Sequence, residues 1–172
     1  NAISVDIAPP SHTLEVIPGS ERFFSLMNHE MVHVATMDIS NTQDRKWRRF
    51  FGGKPRETNK HPETMLYSYL ATPRFSSPRW FAEGSAVFME TWMSSGIGRV
   101  LGAYDEMVFR SMVRDDAHFY SNLGLVSEGI AVDFQVGANA YLYGTRFFSY
   151  LAYEYSPEKV IEWLSRDEES KR

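Results

Sequence analysis

Residues 20–37 read Ser20-Glu21-Arg22-Phe23-Phe24-Ser25-Leu26-Met27-Asn28-His29-Glu30-Met31-Val32-His33-Val34-Ala35-Thr36-Met37. The apolar residues Phe23, Phe24, Met27, Met31, Val34 and Ala35 fall at helical spacing, and Pro18-Gly19 breaks the chain just before them. With Ser20 as N-cap, the pattern predicts one long helix from Glu21 to about Met37. His29 and His33 stand at i and i+4, on one face and about 6 Å apart. Two imidazoles so placed can share one zinc ion at roughly 2.0–2.1 Å each. Glu30 is turned one helical step from that face, so it can hold a metal-bound water without being a ligand. Met31, Val32, Val34 and Ala35 are apolar, so the helix is expected to be buried. A buried His-Glu-His cluster without a metal would leave costly polar groups to satisfy.

A catalytic zinc takes three protein ligands and keeps a position for water. A metzincin would carry Gly at 36 and His at 39, where this chain has Thr36 and Ile39, so that class is excluded. His12, His61 and His118 fall in segments that read as loops and are expected to be solvated. A carboxylate on a second helix is the other standard solution. Pro78-Arg79-Trp80-Phe81-Ala82-Glu83-Gly84-Ser85-Ala86 offers Glu83, set among Trp80, Phe81, Ala86, Val87 and Phe88. An unpaired charge there would be expensive. Gly84 costs about 1 kcal/mol against Ala inside a helix, which fits a close approach by another element such as the first helix. The competing reading is a structural carboxylate paired with Arg79.

The chain has 172 residues, 43% of them apolar and 15% aromatic, with a net charge of −4 and no cysteine. That is an ordinary composition for one domain, taken here as residues 1–172. The absence of cysteine excludes disulfides, thiolate metal sites and cysteine nucleophiles. The acidic balance argues against nucleic acid as a partner, and no apolar run approaches the ~18 residues needed to cross a bilayer. Ile3–Ile7 and Leu14–Ile17 alternate apolar and polar and predict two short strands. Ile3–Ile7 is expected to be a packing strand rather than a sheet edge that accepts a peptide. Further helices are predicted from Thr42 to Phe51, from Pro62 to Leu70, from Ser77-Pro78 to about Met93, from Ala103 to Val113, and near Ala140–Tyr153 and Pro157–Ser165. Gly52-Gly53 stops the first of these, and residues 115–137 read as mostly loop. The fold class is mainly α with a small N-terminal β region. The start at Asn1 suggests a catalytic domain excised from a longer chain, with upstream domains. Arg45-Lys46-Trp47-Arg48-Arg49 is the one basic run, read as a solvated helix face with Trp47 turned into the core. Met89 and Met93, like Met107 and Met112, read as core filling.

His29-Glu30-x-x-His33, 49 intervening residues, and then Glu83 within Trp80-x-x-Glu83-Gly84-x-Ala86 resemble the gluzincin metallopeptidases. The nearest likeness is to the catalytic domain of aminopeptidase-N-type enzymes and their bacterial relatives. The resemblance implies a zincin-like (thermolysin-like) domain and one zinc per chain on His29, His33 and Glu83, with Glu30 as general base. It also implies an acidic residue seven positions after the third ligand, which is Glu90 here, able to orient a ligand; the alternative is a solvated Glu90. A tyrosine that stabilises the oxyanion opens a later helix in that family, in a Tyr-x-Lys-Gly pattern. Tyr141-Leu142-Tyr143-Gly144 points to Tyr141, with Tyr143 the alternative, and Tyr143 stands where the family has Lys. The Gly-x-Met-Glu-Asn segment that binds a free amine in the aminopeptidases is absent before His29, so exopeptidase specificity does not carry over. Val87 stands where thermolysin-type enzymes have Asp.

The implied function is zinc-dependent hydrolysis of a peptide or protein substrate. The alternative is a non-catalytic zinc-bearing interaction or scaffold domain of a larger protein, against which the intact Glu30 counts. The resemblance leans towards an exported bacterial protein; the residues themselves do not give the compartment.

Overall fold

The computed structural model describes residues 19–72, 77–96, 98–126 and 139–165. The fold is mainly α: α1 (Gly19–Asp38), α2 (Thr42–Phe50), α3 (Glu63–Ala71), α4 (Arg79–Met93), α5 (Ala103–Arg114), α6 (Asn122–Val126), α7 (Asn139–Tyr155) and α8 (Pro157–Leu164). Among the described residues there is no strand, and the sole β pairing is an isolated bridge from Thr58 to His61. The two expected strands at Ile3–Ile7 and Leu14–Ile17, like His12, lie outside the described residues. Within the segment expected to be mostly loop, α6 is an added element. It is only five residues long, too short for a periodic pattern to betray it.

Local chemistry explains the boundaries. At the start of α2 the Asn41 side chain accepts from the Asp44 N–H at 2.9 Å, while Asp44 Oδ2 accepts from the Asn41 N–H at 3.0 Å. This reciprocal cap satisfies two otherwise orphaned donors. Its far end closes where Gly52 and Gly53 take φ of 71° and 130° and donate back to the Arg49 and Arg48 carbonyls. Only glycine enters that region cheaply.

The core forms between α4, α7 and α8. Phe81 and Phe88 of α4, Phe148 of α7, and Val160 and Leu164 of α8 are buried together. The Trp163 ring meets Phe81 edge-on at 4.9 Å. Of the methionines expected to fill the core, Met112 is buried and Met89 packs against the Phe81–Phe88–Phe148 cluster, whereas Met93 and Met107 face solvent. Their helices turn those positions outward, which apolar character alone does not reveal.

The opposite face of α4 receives α1. Asn28 Nδ2 donates to Ser94 Oγ at 3.1 Å, His29 Nδ1 reaches Glu90 Oε2 at 2.7 Å, and His33 Nε2 lies 3.5 Å from Glu83 Oε2. Successive α1 residues therefore meet earlier α4 residues, and the two helices run antiparallel. Only one face of α1 is buried, through Ser25, His29 and Val32, whereas Met31 and Ala35 are exposed. The expectation that the helix is buried therefore holds for one face only. Apolar flanks surround the motif, but the helical turn sends two of them to the outside.

Gly84 marks a close helix approach, yet the partner is α7 rather than α1. A Cβ on Gly84 would run into the Gly144 backbone, and one on Gly144 into the Trp80 carbonyl. This glycine pair lets α7 lie directly on α4 beside Glu83. Gly144→Ala is therefore expected to cost about 1–3 kcal/mol by overpacking. Each kcal/mol lowers Tm by roughly 2–4 °C in a chain of this size. A thermal melt of the variant checks this, and an unchanged Tm contradicts the close packing.

Candidate metal centre

His29 and His33 project from consecutive turns of α1, and Glu83 meets them from the first half of α4. His29 Nε2 lies 3.1 Å from His33 Nε2 and 3.2 Å from Glu83 Oε2, and the third side of the triangle is the 3.5 Å between His33 and Glu83. Tetrahedral ligands at roughly 2.0–2.1 Å from a zinc ion stand about 3.3 Å apart. The three separations bracket that value, so this donor set can hold a metal ion without rearranging.

The surroundings prepare the triangle. Glu90 is buried two turns after Glu83, and its carboxylate accepts from His29 Nδ1–H. That contact leaves His29 Nε2 as the nitrogen facing the other ligands, the usual way an outer carboxylate fixes a metal-binding imidazole. The other Glu83 oxygen, Oε1, takes a long hydrogen bond from Arg79 Nε at 3.4 Å. Arg79 does pair with Glu83, as the competing reading had it, but through the oxygen turned away from the histidines.

Two carboxylates against a buried imidazole perturb its titration. Burial alone would lower the pKa of His29, but hydrogen bonds and charge from Glu83 and Glu90 raise it from 6.5 to about 9. Burial would push Glu83 up, and the two histidines instead hold it well below 4.5. In the metal-free protein the His29 contribution to stability is full below pH 6.5 and is lost as pH rises through about 9. The Glu83 contribution is present above 4.5 and is lost as pH falls through its depressed value. Metal binding needs His29 deprotonated, so affinity should rise with pH while metal-free stability falls. From pH 6.5 to 9 the chelated protein is therefore expected to lose Tm, whereas with saturating zinc the gain in affinity offsets that loss and Tm holds nearly constant. An equal fall in both contradicts this assignment.

Tyr141 sits on the first turns of α7 with its ring 6.3 Å from that of His29. Its hydroxyl accepts from Arg79 Nη2 at 3.2 Å, and the Arg79 and Arg99 guanidinium groups lie 5.4 and 5.8 Å from its ring centre. Arg99 is itself clamped by Asp105 at 3.0 Å. Burial and the Glu83 carboxylate raise the Tyr141 pKa above 10.0 against the opposing Arg79, so it stays a hydroxyl donor. Tyr143 turns to a different face of α7. Its ring packs edge-on against Phe109 at 5.4 Å, and its hydroxyl accepts from the Tyr120 N–H at 3.4 Å.

No known family model, curated protein or solved structure matches this chain. The site is therefore read from its own geometry.

Glu30 and His33 line a cavity of about 940 Å³ between α1, α2, α3 and residues 54–57. Glu30 makes no hydrogen bond or ion pair among the described residues. The remaining described histidines stay away from this triangle: exposed His61 pairs with Glu63 at 3.0 Å, and His118 packs on Tyr120 at 5.3 Å. Sequence reasoning passed over Arg79 and Arg99 as neighbours of Tyr141. The i, i+4 spacing of Arg79 and Glu83 was the only signal for either.

Proposed function

We propose that this chain is a zinc-dependent peptidase of gluzincin type on a zincin-like fold, with His29, His33 and Glu83 as metal ligands. The observation that carries the reading is the His29–His33–Glu83 triangle, with sides of 3.1, 3.2 and 3.5 Å, which suits tetrahedral zinc. Two further features support catalysis over a purely structural metal. Among the described residues the set is three ligands rather than four, and Glu30, with no hydrogen bond or ion pair there, lines a cavity together with His33.

His29, His33 and Glu83 would hold the zinc ion, which would supply Lewis acidity toward the scissile carbonyl and the attacking water. Glu30 takes the proton of that water and delivers it to the leaving amine, using one carboxylate twice. The Tyr141 hydroxyl donates to the oxyanion as negative charge develops there. Arg79 holds that hydroxyl and Glu83 Oε1 in one fork, which keeps Tyr141 facing the ligands. Glu90 keeps His29 in the tautomer that ligates.

Hydrolysis of a mixed peptide library by the zinc-loaded protein, abolished by chelator and restored by zinc, tests the reading. No hydrolysis of any peptide by fully zinc-loaded protein overturns it. Within an active enzyme, Tyr141→Phe is expected to lower kcat about 10²-fold or more with little change in KM, because its hydrogen bond forms in the transition state. Unaltered kcat removes Tyr141 from the mechanism.

A further inference from the structure

Arg48 stands on α2 in the basic run that reads as a solvated helix face, yet its side chain is only 18% exposed. It lines the same cavity as Glu30 and His33. A guanidinium has five N–H donors. Among the described residues Nη2 makes one long hydrogen bond, to the Asp38 carbonyl at 3.3 Å, and stands 3.8 Å from Asp38 Oδ1, while Nε is buried with no partner. Asp38 does not close on Arg48 because Lys54 pairs with the same carboxylate oxygen. A mostly buried cation with so few partners is costly, and such groups are normally satisfied. Nε is closed to solvent, so an acceptor from outside the chain would have to meet the terminal nitrogens of the guanidinium, where the remaining exposure lies.

The chemistry of that acceptor follows from the cavity. A planar guanidinium matches carboxylate and phosphate oxygens in pairs. Arg48, Lys54 and Arg56 line the cavity against Glu30, Asp38 and Glu57, so the lining is balanced overall and the case for an anionic group rests on the few partners of Arg48. Buried Tyr67 and Ala71 on α3 give it a floor able to pack a peptide chain. The volume of about 940 Å³ is ample for several residues.

We propose that this cavity seats the substrate on one side of the scissile bond and that Arg48 selects a substrate carboxylate, from an acidic side chain or a free C-terminus. The inference rests on the peptidase reading, and names the substrate class for that same site. Trp47, expected to turn into the core, is instead half-buried with its ring edge-on to Phe50 at 6.1 Å. The residue of this run that turns inward is Arg48.

The test uses peptide twins that differ only by Glu against Gln at each position, with amidated C-termini, and a second pair that differs only by free acid against amide. kcat/KM for wild type is expected to favour one carboxylate twin by at least about tenfold, and Arg48→Gln to bring it down to the level of its neutral twin. The Glu/Gln series and the acid/amide pair identify which carboxylate is read. The same twins are then titrated calorimetrically against zinc-loaded Glu30→Gln, with and without Arg48→Gln, which reads affinity without turnover. Charge-selective binding that needs Arg48 is expected there too. Equal rates and affinities for every pair overturn the proposal, as does selectivity that survives Arg48→Gln. If Arg48→Gln fails to fold, Arg48→Lys keeps the charge without the fork and should lose most of the selectivity. Charge-selective binding without any hydrolysis removes the peptidase reading and leaves the subsite, whereas hydrolysis without charge selection does the reverse.

Discussion

Glu30→Gln is expected to keep the wild-type zinc content and fold while kcat falls about 10²–10⁴-fold, the usual range for losing a positioned general base. The substitution is nearly isosteric and removes only the ability to carry a proton. Glu30 makes no hydrogen bond or ion pair among the described residues, so its loss should disturb little else. Metal analysis, a thermal melt and steady-state kinetics on one preparation separate the effects. Undiminished turnover would exclude Glu30 as the base, and loss of zinc would instead make it part of the ligand structure.

Glu83→Ala should produce the largest change in metal affinity. Removing an outer partner of a metal ligand typically costs 10–100-fold, and a direct ligand should cost more than about 100-fold. Glu90→Gln provides the comparison. It leaves the triangle of donors intact but weakens the 2.7 Å contact that orients His29, so its loss should fall within 10–100-fold. Competition with a chelator of known affinity measures both. Equal, small effects would mean that Glu83 serves Arg79 rather than a metal. Because Glu83 also raises the His29 pKa, metal-free Glu83→Ala should lose less stability than wild type as pH rises from 6.5 to 9.

The parts of this protein that could be read from its residues are those where chemistry is local. Helix starts and stops follow from Asn41 and Asp44, from the positive-φ pair Gly52-Gly53 and from prolines 78 and 157, each acting within a few residues. His29 and His33 also meet through local geometry, since one helix carries both. The joining of Glu83 to them depends on two helices 50 residues apart, and burial of a carboxylate among apolar neighbours was the hint. What was illegible depends on which faces meet. Gly84 announces a close neighbour but not that the neighbour is Gly144 of α7. Tyr141 and Tyr143 are two residues apart, and only the packing of Tyr143 against Phe109 and Tyr120 separates their surroundings. Arg48 lies among solvated cations in sequence, and only the fold turns it into a cavity.

The most direct test of the central claim is the metal content of wild-type protein, purified without added metal and again after zinc is offered and excess removed. Elemental analysis should give about one zinc per chain, held by two imidazole nitrogens and a carboxylate oxygen in its X-ray absorption spectrum. Absence of zinc after loading, or a coordination sphere lacking the two imidazoles, would contradict the His29–His33–Glu83 centre and the peptidase reading built on it.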